Sequence, residues 1–154
     1  MNAVVDEYGA AWQTRDPERI ASLFSEHAVY VERPYERKAT YRGRKQIHEY
    51  WTKQVIGKQS DIRFFNSRDD LVLDAERRRA TVKWFASFDN AVARVSEHED
   101  TGAGRNENQT QKHKKNCATT KKKVRVRFVQ LAMLHFDDRG KIEYLEEYLS
   151  LIHI

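Results

Sequence analysis

Glu32 closes the alternating run Ala28-Val-Tyr-Val-Glu32 and stands directly before Arg33-Pro34. A carboxyl at a strand end that faces an apolar cavity gains proton affinity from burial, which suits it to act as a general base. If it faces water or pairs with Arg33, it is an ordinary surface acid. Tyr8 lies among apolar residues at helical spacing. Its hydroxyl either donates a hydrogen bond to a bound oxygen or is satisfied locally while the ring packs. Glu32 and Tyr8 are therefore the catalytic candidates. Gln130 is the polar member of the row Val124, Val126, Phe128, Gln130, Ala132, Leu134, Phe136, and on such a face it needs a ligand or an internal partner. Covalent catalysis has no visible nucleophile, because Cys117 is the single cysteine and no Gly-Xaa-Ser-Xaa-Gly elbow occurs. His27, His48, His98, His113 and His135 show no metal-ligand spacing, so we predict neither a metal nor a cofactor.

The elements that must position these residues centre on Tyr41-Arg-Gly-Arg-Lys-Gln-Ile-His-Glu-Tyr-Trp51. With Gly43 as N-cap, Ile47, Tyr50 and Trp51 share one helical face, and Lys45, Gln46, Glu49 and Lys53 share the other. Gly57 ends the segment as a residue able to turn left-handed. Upstream, Val4 or Val5, then Tyr8, Ala11 and Trp12 mark a first helix, and Asp16-Pro17 starts a second with Ile20, Leu23 and Phe24 inside. Ser25-Glu-His27 reads as a turn into the strand that ends at Arg33-Pro34. From Asp61 onward strands dominate: Ile62 to Leu73 with an irregular middle, Arg79 to Phe88, Val124 to Phe136, and Lys141 to Tyr148, with turns at Asp74-Ala-Glu-Arg77 and Asp137-Asp-Arg-Gly140. Three N-terminal helices followed by long strands predict an α+β fold, a curved antiparallel sheet wrapped around the helices.

A chain of 154 residues fits one domain, which we place at 1–148. No apolar run reaches membrane-spanning length, and Met1-Asn-Ala-Val-Val-Asp lacks the form of a secretory signal, so we expect a cytoplasmic protein that does not insert in a membrane. The net charge of +5 is uneven: between Arg94 and Lys123 eight basic and four acidic residues supply four of the five positive charges. Residues 94–122 read as a polar basic loop inserted between two strands. Its Gly102-Ala-Gly104 is no phosphate loop, since no strand leads in and no helix follows, and Asn108-Gln-Thr110 is a sequon without an export signal. Lys112-His-Lys-Lys115 with Lys121 to Arg127 could attract a phosphate backbone, but nothing aromatic is interleaved to stack on bases. Such charge runs are usually solvated, so nucleic acid is not the expected partner. Leu149-Ser-Leu-Ile-His-Ile154 resembles a reading frame through a transposon end used in library construction, so residues 149–154 read as a non-native tail.

The words Tyr8-Gly-Ala-Ala-Trp12, Asp16, Leu23-Phe24, Ala28-Val-Tyr, Pro34, Tyr41-Arg-Gly-Arg44, Ile47, Tyr50-Trp51, Phe136 and Gly140-Lys-Ile142 follow one another in an order and spacing that resemble the SnoaL-like group of the nuclear transport factor 2 superfamily. Ketosteroid isomerase and scytalone dehydratase share that cone-shaped fold. The resemblance covers residues 4–93 and 124–148, and it implies an apolar pocket between sheet and helices. The tyrosine that serves ketosteroid isomerase as oxyanion donor falls on Tyr8, its base on Arg33 with Glu32 beside it, and its second acid on Ala132, so one member of three is present. The pocket walls implied are Trp12, Phe24, Tyr30, Arg33 and Tyr50, continued by Trp51, Trp84, Phe88, Phe128 and Gln130. Trp12, Trp84, Phe88 and Phe128 read equally as core. Two functions from different classes stand side by side: a cofactor-independent isomerase, cyclase or dehydratase acting on a small apolar molecule, and a binding or dimerisation module without turnover. Anion or nucleic-acid binding through the basic loop is a weaker third. The outer sheet face, to which alternation assigns Val129, Leu131, Met133 and Leu145, predicts a homodimer.

Overall fold

The computed structural model describes residues 2–93 and 121–151. Helix α1 spans Asn2–Thr14 and buries Val5, Tyr8, Ala11 and Trp12, one face at helical spacing. Arg15 reverses the chain at φ 59°, and Asp16 then caps α2 (Pro17–Ser22), its side chain accepting from the Arg19 amide at 3.0 Å. Strand β1 (Phe24–Val31) follows after the single turn residue Leu23, so Ser25, Glu26 and His27 lie in the strand and not in a turn, and the pairing register shifts there instead. After the short β2 (Thr40–Arg42) comes α3 (Gly43–Tyr50), whose first residue, Gly43, has φ 77°, the left-handed region that glycine enters at no cost.

Helix α3 runs without a break into a π-helical segment, Trp51–Ile56. This wider turn carries Val55 inward beside Tyr50 and Trp51, and all three are buried. Gly57 does not take the expected left-handed conformation; its φ is −67°. It is needed for space, because a Cβ there would stand 2.7 Å from the Lys53 carbonyl oxygen.

Four long strands complete one curved, unclosed sheet in the order β2-β1-β6-β5-β4-β3: β3 (Gln59–Asp74), β4 (Arg79–Ala93), β5 (Lys121–Phe136) and β6 (Ile142–Leu151). The irregular middle of β3 is a register shift between Asn66 and Leu71. All neighbours are antiparallel except β1 and β6, which run parallel, so the expected antiparallel sheet is mixed at this one pair. Lys121 and Lys122 belong to β5, two residues inside the expected loop; its remainder, 94–120, and residues 152–154 of the tail lie outside the described residues. The core is one cluster containing Tyr8, Trp12, Phe24, Trp51 and Trp84, with the β4 row Ala80, Val82, Trp84, Ala86 and Phe88 beneath the helices. Among the described residues no helix is long and apolar enough to cross a membrane.

The β5–β6 hairpin decides which residues of the last strand face that core. Phe136 pairs with Ile142, but His135 pairs with Tyr144 and Leu134 with Leu145, so one residue is skipped. This bulge reverses the faces for the rest of β6. Leu145 is therefore fully buried and does not lie on the outer face where simple alternation places it. Glu147 is turned inward with it.

Candidate functional site

A cleft of about 130 Å³ opens between the helices and the concave sheet face. Tyr8 and Trp12 reach it from α1, Tyr30 from β1, Tyr50, Trp51 and Val55 from α3 and its π-helical extension, Phe88 from β4, and Val126, Phe128 and Gln130 from β5. Glu32 and Arg33, just past β1, lie on its wall with Gln59 and Leu149. Leu149 belongs to the stretch read as a non-native tail and carries no argument. Phe24 and Trp84 are not among the lining residues: both are core, Phe24 against Tyr30 and Trp84 stacked on Tyr8 at 5.3 Å.

Glu147 occupies the floor, only 4% exposed. The Tyr8 hydroxyl donates to its Oε1 at 3.0 Å. The Tyr30 hydroxyl and the Gln130 Nε2 donate to Oε2 at 2.7 and 2.6 Å. Gln130 in turn accepts from Trp84 Nε1 at 2.8 Å, which fixes its amide with the nitrogen toward Glu147. Burial raises the Glu147 carboxyl to about 7 despite the three donors, and the charge of Glu32 adds to the rise. Burial and the Glu147 charge push Tyr8 and Tyr30 well above the usual tyrosine range, so both hydroxyls keep their protons and act as donors. The geometry presents an acid that holds or releases a proton near neutrality, oriented by three groups and facing an apolar cavity.

Glu32 stands in a more open setting. Its side chain is 25% exposed, lies 3.7 Å from Arg33, and accepts from the Tyr41 hydroxyl at 3.4 Å, the outer limit of a hydrogen bond. Tyr41 stacks on Tyr50 at 4.2 Å, and burial with the nearby Glu32 charge raises Tyr41 to about 12. Tyr8 and Glu32, the two catalytic candidates, thus line one cleft, but the Tyr8 hydroxyl is bonded to Glu147 and not to Glu32. Sequence reasoning missed Glu147 because the bulge hides its direction. In the structure Ala132, on which the resemblance places the second acid, pairs directly with Glu147.

A family model described as the SnoaL-like domain matches residues 5–145. No curated protein matches the sequence. Among solved structures, the chain is similar to a hypothetical protein with a ketosteroid isomerase-like fold from Catenulispora acidiphila, in complex with trimethylamine, at 16% identity and a TM-score of 0.58 over 94% of this chain and 83% of that one. It is similar to SalBIII, an epoxide hydrolase/cyclase-like enzyme of pyran ring formation in salinomycin, at 17% identity and a TM-score of 0.63, covering 97% and 89%. The third, PrhC from Penicillium brasilianum, shares 12% identity at a TM-score of 0.66, covering 97% and 79%. Identities this low speak for the fold alone.

Proposed function

The chain belongs to the SnoaL-like domain family, and from that premise we propose that it is a small-molecule pocket protein working by acid–base chemistry, a cofactor-independent isomerase, cyclase or dehydratase. The observation that carries this reading is Glu147, a buried carboxyl raised to about 7 inside an aromatic cleft. A general acid or base is most effective when its proton affinity lies near the working pH. Glu147 takes or gives the proton, while Tyr8 and Tyr30 orient it and can turn to a ligand oxygen on which charge develops. Glu32 is the second proton carrier, at the mouth. The occupant is a small, mostly apolar molecule, because rings and aliphatic carbons make up most of the wall.

One feature favours the rival reading of a binding module: Tyr8, Tyr30 and Gln130 together hold both carboxyl oxygens of Glu147, as protein groups hold a structural buried acid. The same experiment separates the two. The ligand that copurifies with the protein is identified by mass spectrometry, and its conversion is followed with wild type, Glu147→Gln and Glu32→Gln. At saturating ligand, turnover falls by about a hundredfold or more in Glu147→Gln and by less in Glu32→Gln. Unchanged turnover in Glu147→Gln removes it from the mechanism, and a loss confined to Glu32→Gln transfers the role to Glu32. A ligand bound and never converted leaves the binding module.

A further inference from the structure

Glu147 is a buried carboxylate for which the protein supplies no cation. Its three donors are neutral, and among the described residues no lysine, arginine or histidine forms an ion pair with it. The basic residue of the cleft wall, Arg33, is engaged at the rim, 2.9 Å from Glu36 and 3.7 Å from Glu32. Neutral dipoles lessen the cost of a buried charge without cancelling it.

The walls around this charge are rings. Trp51 meets Tyr8, Trp12 and Tyr50 edge to face, at 90°, 88° and 84°, and all four rings line the cleft. Aromatic faces carry negative potential and attract cations, most strongly where water is excluded. We propose that the cleft binds a small organic cation, a nitrogen clad in methyl or methylene groups, enclosed by these rings with the Glu147 carboxylate as its counter-charge. The proposal rests on the pocket reading above and names the class of its occupant. A carbon-clad nitrogen fits both demands, because it fills an apolar cleft and gives up less hydration than a bare ammonium. The cleft of about 130 Å³ is close to the roughly 150 Å³ that takes benzene, which limits the occupant to about five to eight non-hydrogen atoms.

Binding is then coupled to protons. A cation favours the ionised carboxylate, so entry below neutral pH expels a proton from Glu147. The titratable groups facing it are Tyr8 from α1, Tyr30 and Glu32 from β1 and the residue after it, and Tyr50 from α3. The tyrosines stay protonated throughout, and a Glu32→Gln variant separates the other carboxyl.

The test is calorimetric titration of the full chain with choline and with dimethylbutanol, its neutral carbon isostere, at about pH 6 and about pH 8 in buffers of different ionisation heat. Choline binds at least about tenfold tighter than the alcohol at the higher pH, releases protons at the lower, and loses its advantage in Glu147→Gln. Equal binding of the two compounds by wild type, or a preference that survives Glu147→Gln, overturns the cation and leaves the pocket standing. Should that variant fail to fold, wild type decides: no proton release at the lower pH overturns the proposal. Binding of neither compound overturns it and counts against the pocket reading as well.

Discussion

Burying Glu147 ties the stability of the fold to pH. Its carboxyl titrates at about 7 in the folded chain against 4.5 for an ordinary glutamate. The folded state therefore holds the proton more tightly, and this contribution is complete below the unfolded value and lost as pH rises toward 7. The group is buried, so the loss amounts to roughly 3 kcal/mol at most. His135, lowered by burial, works in the opposite sense in the acid part of this window. Glu7 and Asp74, held down by Arg19 and Arg77, act only at lower pH still. The clean comparison is with Glu147→Gln, whose urea-unfolding free energy should lack the decline that wild type shows between about pH 5 and about pH 8. Parallel curves for the two proteins would show that Glu147 does not titrate as described. Most of the cleft's rings were legible in the sequence, since an aromatic on a helix or strand face points where its period sends it. Glu147 was not, because a single skipped residue outweighs any pattern read along β6.

At the scale of elements, α1 meets the sheet through a glycine. The ring of Phe64 on β3 occupies the space where a Cβ of Gly9 would project. Gly9→Ala gains about 1 kcal/mol of helix propensity but drives a methyl group into that ring, so we predict a net loss of about 1–3 kcal/mol in denaturant unfolding. A stabilised variant would mean that the α1–β3 contact has slack. The order of helices and strands was readable from period and punctuation, and the irregular middle of β3 showed in its sequence. The parallel pairing of β1 with β6 was not, because it joins segments more than a hundred residues apart that no local signal links. The ladder also bears on the basic segment: Ala93 and Lys121 face each other at the end of β4 and β5, near enough for a tight turn. Replacing 94–120 with such a turn should leave the thermal midpoint nearly unchanged, since loop length enters closure entropy only logarithmically. An unfolded product would place those residues in the core. Loss of an affinity for mixed-sequence nucleic acid at physiological salt would give the segment the weakest of the three functions its sequence allows.

For the molecule as a whole, the convex side of the sheet remains to be accounted for. Phe65 pairs with Phe85 and Phe85 with Val129, giving one apolar row across three strands, and Leu131 and Met133 continue it down β5. Phe65 is 62% exposed, Leu131 43% and Phe85 39%, too much contiguous carbon for a surface with no use. Charge frames the row: Arg125 is bound to Asp61 and Asp89 at one end, and the Tyr144 and Tyr148 hydroxyls hold Glu146 at the other. Lys83, across from Leu131 and bound to Asp70 at 2.7 Å, is a charge within the patch, and a mostly apolar patch with a polar rim is the build of a protein interface. With Leu145 inside the core, the expected dimer surface shifts to Phe65, Phe85, Val129, Leu131 and Met133. We predict a homodimer in which this face meets its own copy. Around a two-fold axis a residue near the centre lies close to its counterpart, so Leu131→Lys opposes two like charges there and should yield a folded monomer. Light scattering at micromolar concentration, with circular dichroism to confirm the fold, reads the outcome. A wild type that scatters as a monomer removes the dimer, and a Leu131→Lys protein that stays dimeric moves the interface elsewhere on the surface.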